Sequence, residues 1–227
     1  MSPIFCSAQE KNGQDCLNLI MQLENQINTK KDKEQNKATF IHYSTRVQDW
    51  DNVFVSSEVK IIQHNKKVHF FSDKANVFQD GKDVLLVLHD QRIVIWNSTP
   101  ESINESVKDD FLLLKEAFFQ SCEIIHCKTN KDNEQERTLI LKAPEADGLI
   151  SIEKLTYVFN EKEQKILKVI VEYNKEYKVR KMNITYHQMN LEYSYNFNKT
   201  AWKNVLDNNY RPTGKYTGYN LIDNREK

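Results

Sequence analysis

The spacing of apolar residues predicts a helix near the start of the chain, followed by a long series of strands. Over residues 15–28, apolar side chains such as Leu17, Ile20 and Leu23 recur three or four positions apart, which is typical of an amphipathic helix with Asp15 as its cap. After a polar stretch, apolar and β-branched residues alternate with polar ones, which indicates half-buried strands. The pattern predicts strands at residues 39–47, 53–63, 67–72 and 75–79.

Short polar breaks separate these strands, which favours hairpins and therefore an antiparallel sheet. Asp80-Gly81 is the strongest turn signal of the chain, and a second tight break follows at His89-Asp90-Gln91. The alternating pattern predicts further strands at residues 83–88, 92–96, 123–128, 138–143, 152–160, 166–173 and 178–195. The fold class predicted from this order is α+β, with a large antiparallel sheet.

A second helix is predicted between these strands, from Pro100 to Gln120. The preceding Asn-Ser-Thr supplies a hydroxyl cap, and proline is favoured at the first helical position. Phe111, Leu114 and Phe118 form a bulky apolar face, so this helix must pack against an apolar surface. From Trp202 onward the chain is rich in tyrosine and is expected to form an ordered but irregular tail.

Length and charge limit the classes of protein that the chain can belong to. Its 227 residues include 32 basic and 32 acidic side chains, so the net charge is zero and no overall basic field would attract nucleic acid. No repeat or linker divides the chain, and no apolar run approaches the roughly 20 residues that cross a bilayer. We therefore expect a monomer with one domain over residues 15–227, no nucleic-acid partner and no membrane-spanning segment.

The first residues leave two interpretations open. Cys6-Ser7-Ala8 has small side chains at the positions that a signal peptidase reads, so residues 1–14 resemble the end of a secretory signal, and the protein would be periplasmic. The charged start and most of the apolar stretch of such a signal are missing. An ordinary frayed N-terminus of a cytoplasmic protein is the alternative.

The four cysteines do not indicate a disulfide framework or a zinc site. Cys6, Cys16, Cys122 and Cys127 are sparse and lack paired short spacings, so the redox compartment cannot be inferred from them. Within one strand, Cys122 and Cys127 would point to opposite faces because their separation is odd.

Motifs for catalysis are equally sparse. His64, His69 and His89 could be drawn as metal ligands, but two of them lie in predicted turns and no cysteine or carboxylate stands at a matching spacing. The chain has only five glycines and contains no nucleophile elbow or phosphate-binding loop. We expect a protein that is not an enzyme and that holds neither metal nor cofactor.

The order of these elements resembles the LolA/LolB-type outer-membrane lipoprotein carrier family. The local match is strongest where a strand ends in Asp-Gly-Lys, an apolar strand follows, and its hairpin partner returns, at residues 77–85 and 93–95. Residues 138–144, 152–159 and 168–173 are similar to the C-terminal meander of that family. The resemblance covers roughly residues 15–197, and the order of elements carries more weight than any single motif.

The resemblance implies a strongly curved, incomplete β-barrel whose N-terminal and mid-chain helices cover an apolar concave face. It also implies a function in outer-membrane lipoprotein sorting, with an acyl chain or another apolar ligand bound in that cavity. The family's carrier arginine has no counterpart here, and Lys66 and Lys67 at the matching place are candidates for a polar rim. The residues expected to line the cavity are Val55, Val59, Ile61, Phe70, Leu86, Leu88, Ile95, Phe111, Leu114 and Phe118.

Two alternatives stay open at this point. A register slip of one residue would move every wall residue to the other face of the sheet. An apolar face with these spacings can also be a filled core, in which case the chain would be a non-catalytic interaction or structural module of the envelope. Such a module would bind a protein partner through a sheet edge or through the Tyr-rich tail.

Overall fold

A computed structural model gives the fold of the chain and describes residues 4–29, 37–99, 115–131, 133–144, 151–197 and 199–225. Helix α1 spans Ile4–Thr29 and helix α2 includes residues 115–121. Two short 3-10 helices follow at Ala201–Asn204 and Gly214–Tyr216. The strands are β1 Lys37–Asp49, β2 Phe54–His64, β3 Lys67–Ser72, β4 Ala75–Gln79, β5 Asp83–Leu88, β6 Ile93–Ser98, β7 Glu123–Thr129, β8 Glu136–Lys142, β9 Ile152–Asn160, β10 Lys165–Tyr173, β11 Val179–Ser194 and β12 Asn220–Asp223.

The strands form one sheet in the order β12-β6-β5-β4-β3-β2-β1-β11-β10-β9-β8-β7. Strands β2 to β6 and β7 to β11 pair antiparallel with their neighbours in the chain, whereas β12 pairs parallel with β6. Among the described residues the sheet is open, with β12 and β7 as its edges. The predicted α+β class with a large antiparallel sheet is confirmed.

Helix α1 begins at Ile4, well before its predicted start at Asp15. Residues 8–11 are Ala-Gln-Glu-Lys, all strong helix formers, so Asp15 lies inside the helix and does not cap it. Gly13 also lies inside α1, where an added Cβ would stand only 2.8 Å from Cγ2 of Ile124. Its missing side chain therefore allows the helix to approach β7 closely. Of the second predicted helix, residues 100–114 lie outside the described residues.

The chain divides into two compact units, each with its own core. Unit 1 comprises Met1–Thr29, Ser44–Ser56 and Asn104–His187. In this unit, α1 and α2 pack against one face of strands β7 to β10. The buried side chains of this core are Cys16, Leu17, Ile20, Leu23, Phe119, Cys122, Cys127, Leu139, Leu141, Leu155, Tyr157, Phe159, Ile166, Val169 and Val171.

A disulfide and a partly buried ion pair fasten the helices of unit 1. Cys16 of α1 is bonded to Cys127 of β7, a pairing that the sparse spacing of the cysteines left undetermined. Lys115 of α2 lies 2.5 Å from Glu24 of α1, and the Tyr157 hydroxyl donates to the same carboxylate at 3.3 Å. Burial, followed by the charge of Glu24, raises the pKa of Tyr157 well above its usual value, so this phenol stays protonated.

Unit 2 comprises Lys30–Tyr43, Ser57–Ile103 and Gln188–Lys227. Its core lies between one face of strands β4 to β6 and the Tyr-rich tail, whose 3-10 helices pack directly on the sheet. The buried side chains of this core are Phe78, Leu85, Val87, Val94, Trp96, Ala201, Val205, Leu206 and Tyr216. That residues 15–227 behave as a single domain stays a prediction.

Candidate functional site

One face of strands β2 to β6 carries a continuous row of apolar side chains. Ile61, Phe70, Val77, Leu86 and Ile95 are paired directly from strand to strand, so all five side chains lie on the same face of the sheet. Every one of them is partly buried. We call this side of unit 2 the wall face.

The opposite side of the same strands, here called the tail face, is covered by residues 201–216. Successive residues of a strand point to opposite faces, so Leu85 is completely buried beneath the tail while its neighbour Leu86 is partly exposed on the wall face. The backbone N–H of Ala201 donates to Oδ2 of Asp80 at 2.6 Å, and the Tyr216 hydroxyl accepts a hydrogen bond from Asn76 at 2.8 Å. The tail is therefore held to the sheet by polar contacts as well as apolar packing.

Asp80 has a role that its turn signal alone did not show. Burial works to raise the pKa of this carboxyl, but backbone hydrogen bonds from Ala201, Asp83 and Lys82, together with the charge of Lys67, lower it below its usual value. The carboxylate thus closes the β4–β5 turn and fixes the start of the tail at once.

The structure brings together six of the residues expected to line a cavity. Val59, Ile61, Phe70, Leu86, Leu88 and Ile95 share the wall face, where Val59 is the most buried at 6% exposure. Val55 lies in unit 1 and is 51% exposed. Phe118 also lies in unit 1, packed against its core beside Phe119. Phe111 and Leu114 lie outside the described residues.

The candidate rim residues lie at the β2–β3 turn. Both lysines are exposed, and Nζ of Lys67 donates to the backbone oxygen of Phe197 at 3.5 Å. The side chain of Lys66 passes close to Gly81, so its stem follows the neighbouring β4–β5 turn. Their charges therefore stand at one end of strands β2 to β5.

A polar groove of about 410 Å³ opens in unit 2 on the side of the tail. Lys60, Phe71 and Asn76 are paired across β2, β3 and β4 and form part of its wall. Lys215 of the tail lies over the ring of Phe71, with 6.0 Å from Nζ to the ring centroid. The groove is also lined by Glu58, Ser72, Asp73 and His89. Its two lysines and two carboxylates suit a polar solute, and none of the predicted apolar site residues lines it.

His69 of β3 is a buried histidine. It is only 5% exposed, it is surrounded by the rings of Phe71, Phe78, Tyr195 and Phe197, and its Nδ1 lies 2.9 Å from the Tyr195 hydroxyl. Burial lowers its pKa to about 4, so the ring is neutral near pH 7.

The described residues hold no group prepared for metal or thiol chemistry. Throughout the described ranges, no group of three His, Cys, Asp or Glu side chains is placed to hold a metal ion. Cys122 is a free but buried thiol, and burial raises its pKa to about 11, so the reactive thiolate is not populated at neutral pH. Within the described ranges, no helix combines the length and the apolar composition of a membrane-spanning segment.

Sequence reasoning missed two features of the structure, one in each unit. The disulfide joins cysteines that stand 111 residues apart, a separation with no recognisable spacing signal. The packing of the tail has no periodic pattern, because 3-10 helices of three or four residues leave no repeat to detect.

Comparison with known proteins gives structural similarity without sequence similarity. No protein-family model matches the sequence, and no curated protein matches it. The structure is similar to an uncharacterised conserved protein from Thermus thermophilus, with 5% identity, a TM-score of 0.46 and coverage of 90% of this chain and 98% of the other.

The chain is also similar to two further solved structures. A LolA superfamily protein from Nitrosomonas europaea is 10% identical with a TM-score of 0.32, over 80% of this chain and 94% of the other. An outer membrane lipoprotein-sorting protein domain from Vibrio parahaemolyticus is 11% identical with a TM-score of 0.34, over 82% and 96%.

Proposed function

We propose that this protein is a non-catalytic carrier that binds an acyl chain or another apolar ligand on the wall face of unit 2. The proposal is carried by one observation, the five directly paired apolar side chains that cross strands β2 to β6 and remain partly exposed. Adjoining apolar side chains that stay partly open to solvent can form a binding surface.

Physical chemistry supports an acyl chain as the ligand. Five strands at about 4.8 Å spacing give an apolar row about 19 Å across. Each methylene group transferred from water to such a surface contributes about 0.8 kcal/mol when it is fully buried. Lys66 and Lys67, at the end of the same strands, would lie near a carboxylate or phosphate headgroup.

The disulfide supports a location in the periplasm. Disulfides form and persist in oxidising compartments and are rare in the cytosol, so Cys16–Cys127 favours the secreted interpretation of the N-terminus. In this compartment the ligand would be the acyl chain of a lipoprotein destined for the outer membrane. The carrier would act as a monomer, alone or with an envelope protein partner.

Two adjacent leucines allow a matched test of this proposal. The protein is purified from its envelope fraction, its mass is measured under native conditions with organic extraction, and uptake of a fluorescent fatty acid is titrated. We expect a co-purifying acyl species, and we expect Leu86→Ala to weaken fatty-acid uptake by about tenfold with little loss of stability.

Leu85→Ala is the control, because Leu85 lies on the opposite face in the same strand. This variant should cost about 2–5 kcal/mol of stability but should retain fatty-acid uptake at temperatures where it is folded. A clean apo mass together with no uptake by the unaltered protein would reject the carrier and favour the interaction module.

A further inference from the structure

Unit 1 has a second sheet face, opposite to the one that carries α1 and α2. Because directly paired residues share a face, the pairing of β7 to β11 identifies its side chains. They form three neighbouring rows: Lys128, Thr138, Val158, Lys168 and Thr185; His126, Ile140, Thr156, Ile170 and Asn183; and Glu123, Lys142, Lys154, Glu172 and Lys181. We call this surface the lysine face.

The lysine face concentrates positive charge in a chain whose net charge is zero. Its three rows hold five lysines and two glutamates. Glu172 is shared between Lys154 at 2.5 Å and Lys181 at 3.3 Å. Burial works to raise the pKa of Glu172, but the two lysines outweigh it and the pKa is lowered. This carboxylate is therefore already engaged by the lysines of its own row.

The arrangement also places like charges beside each other. Lys142 and Lys154 stand directly opposite across β8 and β9, a pairing that opposes sheet stability. On the neighbouring strand β7, burial and then the positive charge of Lys128 lower the pKa of His126. An anion bound between these side chains would relieve the repulsion.

We propose that the lysine face binds the anionic headgroups of a lipid surface. The middle row is built of shorter side chains such as Ile140, Thr156 and Asn183, so the long lysine side chains on both sides can extend their ammonium groups beyond it. Interfaces between proteins are enriched in Trp, Tyr and Arg and depleted of Lys. Clusters of about four to eight basic residues are instead typical of proteins that bind anionic membrane surfaces. The lysine-bearing rows contain no arginine. A lysine ammonium attracts a phosphate group as a point charge, so this composition suits phosphate headgroups.

This inference goes beyond the proposed function, since it concerns another face, another unit and another chemistry. It stands whether or not the wall face binds an acyl chain. Uptake of a fatty acid and attachment to a membrane surface can therefore succeed or fail separately.

Vesicle sedimentation tests the inference with the full chain. We expect binding to vesicles of phosphatidylglycerol mixed with phosphatidylcholine, release by added salt, and no binding to phosphatidylcholine alone. Replacing Lys128, Lys142 and Lys168 together by glutamine should weaken binding to the anionic vesicles by about tenfold to a hundredfold. Uptake of the fluorescent fatty acid should not change.

The control removes three exposed lysines from unit 2, with Lys74→Gln, Lys82→Gln and Lys199→Gln in one protein. Because both triple variants lose the same charge, the control should keep its vesicle binding within about twofold. Melting curves of both variants show whether they are folded. An equal loss in the two triple variants, or no binding of the unaltered protein to anionic vesicles, would overturn the inference.

Discussion

Gly13 shows at the scale of one residue how a missing side chain sets the distance between a helix and a strand. Glycine inside a helix costs about 1 kcal/mol relative to alanine, so the helical propensity alone would favour substitution. The structure opposes it, because the new Cβ would meet Cγ2 of Ile124, an atom close to the backbone that cannot move far. The clash should outweigh the gain in propensity.

We expect Gly13→Ala to lower the free energy of unfolding by about 1–3 kcal/mol, as overpacked cores do. Urea denaturation measures this change. The same substitution made in an Ile124→Ala background should be neutral or stabilising, because the obstructing side chain is gone. If the Gly13→Ala protein is more stable than the unaltered protein, the close approach of α1 to β7 is not the reason for a glycine at this position.

His69 gives the protein a pH dependence that can be assigned to one side chain. Its pKa is about 4 in the folded state and about 6.5 when unfolded, so between these values the unfolded chain binds more protons. The stabilisation that depends on neutral His69 is therefore fully present above pH 6.5 and is lost as the pH falls towards 4. The full loss is on the order of 3 kcal/mol.

The measurement is a series of melting temperatures from pH 8 to about pH 4 for the unaltered protein and for His69→Phe. Phenylalanine preserves ring packing among Phe71, Phe78 and Phe197 but cannot titrate. The variant should have a shallower acid slope. The remainder comes from His126 and, near pH 4, from Glu172 and Asp80, whose pKa values are also lowered. Identical slopes in both proteins would show that His69 is not the source.

At the scale of elements, the disulfide is the strongest single constraint on α1. It closes a loop of 111 residues, for which the chain-entropy account predicts a stabilisation of about 4–5 kcal/mol. We expect Cys16→Ala with Cys127→Ala, or a reducing agent, to lower the melting temperature by a corresponding amount. The double variant should not respond further to the reducing agent.

Cys122→Ala is the matched control for this prediction. Cys122 is buried in the same core but is not bonded, so its loss should cost about 1 kcal/mol through a small cavity. A reducing agent should still destabilise the Cys122→Ala protein. An equal effect of the reducing agent on the protein without Cys16 and Cys127 would indicate that it acts elsewhere.

The sequence allowed most elements to be predicted wherever a regular period was present. Alternation located β3, β4, β5 and β9 at their observed bounds. The predicted start of α1 was wrong. Asp15 has the chemistry of a helix cap, but the helix already includes Gly13 and the residues before it, back to Ile4. Strand β12 was missed because four residues that pair with a distant strand give too short a pattern.

For the whole molecule, alternation identifies which residues share a face but does not say which face is covered. Ile61, Phe70, Leu86 and Ile95 were assigned to one side of the sheet, and their direct pairing places them together. What leaves them partly exposed is the tail, which packs on the other side of the same strands. That choice is made by contacts between segments far apart in sequence, which periodicity does not record.

The cover of the tail face also imposes an order on folding. Phe78, Leu85, Val87, Val94 and Trp96 have left a ribosome or a translocation channel long before residues 201–216 can reach them. During this interval the nascent chain exposes an apolar surface that can associate with other chains. It depends on chaperones or on late folding to avoid aggregation. Translation that ends before Ala201 would therefore give a chain whose strands can pair while the tail face stays exposed to solvent. We expect proteases to degrade this product.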